Sequence, residues 1–187
     1  LSEGTFRVSD GYMHTGDIDA NTPGGGTIGG DGGTIIGNVS GTLTVDPGSD
    51  LTGNPTATLF VNGNVTPNFT FNLDIEDVDN PGVNSDLLSV TGTLDLSALS
   101  AGEAMLNVQD LTGGTPDLLT TEFMLLFAES ATDILGFGSD LFTINGVNPD
   151  DFEGDLSVIE EDDGLYLVHS LVAVPEPTSV AIWSLIG

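Results

Sequence analysis

The chain has 187 residues, 29 of them Asp or Glu and a single basic one, Arg7, giving a formal net charge of -28 with no cysteine. That length holds one core, or a core with an appended arm, and a hydrophobic share of 39% is enough to fold it. The charge excludes nucleic acid as a partner, because phosphate backbones need Lys or Arg to displace their counterions. The missing cysteine excludes disulfides, zinc-thiolate sites and thiol nucleophiles. The favoured partners are cations, Ca2+ above all, and basic surfaces.

LSEGTFRVSD has neither the basic nor the apolar region of a secretory signal. The start therefore reads either as processed or as that of a cytoplasmic protein, and the C-terminal residues decide between the two. Thr5, Phe6, Arg7 and Val8 predict one short strand within residues 1–19. Residues 20–33 are dominated by glycine (NTPGGGTIGGDGG), which loses much backbone entropy on ordering. They read as a flexible linker, or as the hinge of an arm that carries the first strand to the sheet edge of another copy. A phosphate loop is excluded: there is no Lys-Ser/Thr ending and no helix-forming segment behind it.

From Thr34 the residues predict strand after strand, with a body over 34–174. Strands are expected at Thr34 to Val39, Thr42 to Val45, Thr56 to Val61, Leu87 to Val90, Thr93 to Leu96, Met105 to Val108 and Phe123 to Ala128. DPGSD, TGNP, NGN and GGTP mark turns between them. The centre is the run from Phe69, where Phe69, Phe71, Leu73 and Ile75 alternate with Thr70, Asn72, Asp74 and Glu76, the period of a half-buried strand. Its continuation, Glu76 to Asp86, is acidic and rich in turn formers. Asp163-Gly164 predicts a closing hairpin of Leu156 to Ile159 and Leu165 to Val168, with Leu165, Leu167 and His169 on one face and Tyr166 and Val168 on the other. The fold class expected is all-β: a right-handed β-helix or stacked β-layer, with a jelly-roll β-sandwich as the alternative.

SGTLTVDPGSDL, NSDLLSVTGTLDLSAL, EFMLLFAES and EGDLSVIEEDDGLYLV together resemble the autotransporter-associated β-strand repeat proteins, and the passenger-like extracellular proteins that end in a PEP-CTERM signal. The tail 175–187 adds to this. Val174, Pro175, Glu176 and Pro177 precede the apolar run from Val180 to Ile186, and this looks like the start of such a sorting tail. The run is shorter than the ~20 apolar residues that span a bilayer. The resemblance implies a protein exported to the cell surface of a Gram-negative bacterium. It also implies an exosortase-type partner acting at the Pro-Glu-Pro triplet and only transient membrane contact through the tail.

Clustered aspartates beside turn carbonyls can supply the oxygen ligands of Ca2+. The candidates are Asp74, Glu76, Asp77 and Asp79 in one corner, and Asp150, Asp151 and Asp155 in another. Neither follows the spacing of an EF-hand. Carboxylate pairs that could serve a glycosidase abound by chance among so many acids, and one arginine is too little to bind an anionic sugar. His14 and His169 are the only histidines, and no serine stands in a nucleophile-elbow context. The expectation is a non-enzymatic extracellular structural or matrix protein. It would self-assemble into a surface layer or filament by strand addition, with Thr5 to Val8 as the joining arm. A carbohydrate-binding module or polysaccharide-acting enzyme, and a Ca2+-stabilised adhesin, are the alternatives.

Overall fold

The computed structural model describes residues 4–20, 25–48, 55–114, 118–119, 122–146, 154–162 and 164–171. All its regular elements are strands. In chain order they are β1 Thr5–Arg7, β2 Met13–Thr15, β3 Ile18–Ala20, β4 Gly26–Gly29, β5 Thr34–Ile36, β6 Val39–Asp46, β7 Thr58–Asn62 and β8 Val65–Ile75. Then follow β9 Leu87–Val90, β10 Thr93–Asp95, β11 Ala104–Asp110, β12 Phe123–Ser130, β13 Asp133–Leu135, β14 Phe142–Asn145, β15 Gly154–Glu161 and β16 Gly164–Leu171.

The strands form two sheets. The first runs β1-β4-β6-β8-β10-β13, with β3 also on β6, and with β11 on β8 carrying β14; every one of its ladders is parallel. The second runs β15-β16-β12-β9-β7-β5-β2; it is parallel from β2 to β12 and antiparallel where the β15–β16 hairpin joins. From β4 to β9 the chain passes from one sheet to the other at nearly every turn. Alternation explains the inward rows: Val45, Phe71 and Leu106 share one cross-strand row of the first sheet, and Leu59 and Leu88 share one of the second. All five are buried. Phe71 of β8 and Phe127 of β12 meet edge to face across the core at 5.4 Å between ring centres, and Phe127 meets Phe142 at 6.0 Å.

The all-strand character agrees with the residue pattern, but neither specific architecture does. A jelly-roll is built from antiparallel sheets, whereas the first sheet here is parallel throughout. A β-helix keeps its sheets parallel and its coils alike. Here the first sheet curls and forks, the second turns mixed, and the chain length between paired strands is uneven. The fork has a local cause. β8 pairs with β10 only through Val65 and with β11 only from Thr70 onward, and Pro67 stands in the gap, without an N–H to give a partner.

The N-terminal arm and its glycine hinge are likewise corrected. β1 pairs with β4 of its own chain, Thr5 to Thr27, Phe6 to Ile28 and Arg7 to Gly29, and Val8 is buried. The glycines are close-packed spacers. A Cβ at Gly30 or Gly33 would overlap the carbonyl of Val8, and one at Gly29 the carbonyl of Asp46. Contact with neighbouring strands therefore offsets the entropy cost that made this segment look like a linker.

Candidate functional site

The outward face of the first sheet carries two in-register rows. Thr5, Thr27, Thr44, Thr70, Met105 and Thr143 lie side by side on six neighbouring strands. Two residues along, the ladders continue as Arg7, Gly29 and Asp46 and as Asn72, Asn107 and Asn145. Parallel strands stand ~4.8 Å apart, so identical side chains in one row reach one another. The Asn107 amide donates to Asn72 Oδ1 at 3.0 Å, Asn145 to Asn107 Oδ1 at 3.5 Å, and Asn72 to Asp46 Oδ1 at 3.3 Å.

Arg7 closes this chain of bonds. With no side chain at Gly29, its guanidinium crosses β4 to Asp46 Oδ2 at 2.5 Å and donates to Gly48 O at 2.7 Å. The residue expected to join copies thus ties the first strand into its own sheet. A shallow cavity of about 370 Å3 lies against this row, lined by Asp46, Asn72, Asp74, Asn107, Val108, Gln109 and Gly146. A second, of about 250 Å3, lies over the threonine row.

Behind the face sits Asp86, 1% exposed. Its Oδ1 accepts the N–H groups of Ala57 at 3.0 Å and Gly48 at 3.3 Å, and its Oδ2 accepts that of Asp74 at 3.0 Å. Burial pushes this carboxyl up to about 8; the N–H donors of Asp74 and Ala57 pull against it, and the charges of Asp74 and Asp46 add to the rise. The backbone of Gly48 is held on both sides, its N–H by Asp86 and its carbonyl by Arg7. Asp86 was missed in the sequence, although Asp86, Leu88 and Val90 follow the period of one strand face.

The four Ca2+ candidates of the first corner lie at the end of β8 and in the turn that follows it. Asp74 lines the outward cavity. Glu76, Asp77 and Asp79 lie in the turn after β8, where the N–H groups of Glu76 and Asp77 both donate to Asn84 O and that of Asp79 to Asp77 Oδ1 at 3.3 Å. Among the described residues no three His, Asp or Glu side chains converge as a metal site. Asp155 takes a position in β15 opposite Ser170; Asp150, Asp151 and the sorting residues 174–177 lie outside the described residues. His14 stacks edge to face on Phe6 at 4.8 Å, and His169 is buried against Phe123.

The ladder had a signal in the sequence. TFRV, TVDP, TFNL and TING read Thr-x-polar, and TIGG and MLNV stand in the same register with Gly29 and Met105 as the exceptions, but unequal separations conceal the repeat. No family model matches the chain, and neither the curated proteins nor the solved structures searched include a match.

Proposed function

We propose that the protein is a non-catalytic extracellular structural or matrix protein that joins to copies of itself by strand addition. The observation that carries this reading is the end formed by β1 and β2, the outermost strands of their sheets. Tyr12 O and the N–H of Gly16 bond toward β5, so the N–H groups of Met13 and Thr15 face away from it. The β2 side chains Met13, His14 and Thr15 include no Asp, Glu, Lys or Arg on a strongly acidic molecule, and Tyr12 and Met13 are 72% and 71% exposed. Copies repel one another over most of their surface and least here. Light scattering of purified protein over a concentration series should show association, and Met13→Lys with Thr15→Pro should abolish it without changing the circular dichroism. Association that survives both changes removes the edge, and a monomer at every concentration removes the reading. The triplet at 175–177 supports export and sorting to the surface of a Gram-negative bacterium by an exosortase-type partner.

A second reading is favoured by the threonine row. The hydroxyls of Thr5, Thr27, Thr44 and Thr70 make no hydrogen bond among the described residues, and a row of free hydroxyls beside amides suits a neutral glycan. A glycan array gives the test, and binding lost in Thr44→Val with Thr70→Val would establish it over the structural reading.

A further inference from the structure

In a parallel ladder alternate residues of a strand turn both their N–H and their C=O to one neighbour. The Thr34 N–H donates to Tyr12 O and the Gly16 N–H to Ile36 O, so Tyr12, His14 and Gly16 serve β5. Met13 and Thr15 turn both groups the other way, and on that side β2 is the last strand of its sheet. These outward groups stand one residue to either side of His14. A second β2 laid antiparallel on the first, with a two-fold axis at His14, meets all of them at once. Met13 then exchanges N–H···O bonds with the partner's Thr15, and Thr15 with the partner's Met13.

The side chains suit the same register. Tyr12, 72% exposed, comes to lie opposite the partner's Gly16, which has no side chain to crowd the ring. Met13 beside the partner's Thr15 pairs an apolar side chain with a β-branched one, a favourable cross-strand pair. Residues 11–16, GYMHTG, contain no Asp, Glu, Lys or Arg, so the contact sets no like charges against each other. The other end of the second sheet is different: β15 ends in Glu160 and Glu161, with Asp162 beyond. An edge strand that ends in acids resists addition by any copy of a chain with a formal net charge of -28.

We propose, resting on the self-association proposed above, that copies join β2 to β2 about a two-fold axis at His14 and so form a closed dimer instead of an open filament. Such a contact uses the same patch on both copies and leaves none to receive a third.

Light scattering over a concentration series tests the closure: the mass should rise to twice that of the chain and stop there. A monomer at every concentration would remove the self-association and this dimer with it. A mass that keeps climbing past two copies would leave the self-association standing and overturn the dimer. The register has a separate test, because the chain has no cysteine. Residues in a non-hydrogen-bonded antiparallel pair stand ~4.5 Å apart at Cα, within the ~4.4–6.8 Å that a disulfide spans. His14→Cys, oxidised with copper phenanthroline, should therefore be trapped as a covalent dimer. Met13→Cys should cross-link severalfold less, because two residues, ~6.8 Å along the strand, separate it from its symmetry mate in addition to the gap between strands. Equal cross-linking at the two positions, or none at His14→Cys while its circular dichroism is that of the parent, would overturn the register. Should His14→Cys fail to fold, Met13→Cys mixed with Thr15→Cys should cross-link to each other and not to themselves, and a mixture that stays monomeric on oxidation would count against the dimer.

Discussion

At the scale of single residues, the one arginine and the most buried carboxylate among the described residues hold the carbonyl and the N–H of the same residue, Gly48. Arg7 is about three-quarters buried with Asp46, so its bonds are worth more than those of an open surface pair. Arg7→Ala should lower stability by about 2 kcal/mol, read from urea unfolding, with Arg7→Lys recovering only part because the second donor is lost. Asp86 sets a pH dependence whose sign follows from its raised pKa. Its carboxyl ionises near 3.8 when unfolded and about 8 when folded. Its contribution to stability is full below pH 4 and declines as pH rises through 8. In Asp86→Asn an amide faces the N–H of Asp74. That variant should be less stable than the parent at pH 5, by about 1–3 kcal/mol, and the gap should narrow toward pH 9 in parallel thermal melts. A gap that does not change with pH would mean that Asp86 is not the titrating group.

At the scale of elements, β8 is the hinge of the structure. It pairs with β6 along one side and with β10 and β11 along the other, and it sends Phe71 into the ring contact with Phe127. Phe71→Ala should cost about 3–5 kcal/mol, measured by chemical denaturation. The packing of the glycine-rich segment makes an equally sharp prediction: Gly33→Ala should undock β1 from β4, because its Cβ meets a backbone carbonyl that cannot turn aside. Rapid proteolysis within residues 1–20 would report the undocking, whereas a variant as resistant as the parent would restore the view of this stretch as a spacer. The alternation that marked Phe71, Leu73 and Ile75 as inward was legible because a pleated strand turns its side chains over every residue. The closing hairpin was legible for the same reason, and Leu165, Leu167 and His169 are indeed the buried side of β16. The partners of each strand were not legible, since parallel pairing joins residues far apart and nothing local specifies which.

At the scale of the whole molecule, a net charge of -28 opposes the compact state by self-repulsion. Stability should therefore rise with NaCl over the range in which the Debye length shrinks from ~30 to ~8 Å. Calcium bound by Asp74, Glu76, Asp77 and Asp79 would add to this. The check is melting in CaCl2 and NaCl at matched ionic strength: an excess with Ca2+ that is lost in Asp77→Asn assigns the corner, and equal curves remove it.

What the residues alone determined is local: strand-forming periodicity, the turns that end each strand, the excess of negative charge, and a tail unlike the body. Each depends on the side chains of a few neighbours in sequence. What only the tertiary structure decided is which strands lie side by side. That placement made a ladder of Arg7, Asp46 and three asparagines, turned a presumed arm into the edge strand of its own sheet, and buried Asp86 among backbone donors. Cross-strand neighbours are set by the balance of packing over the whole chain, and with unequal lengths between partners no short window of sequence contains both sides of a contact.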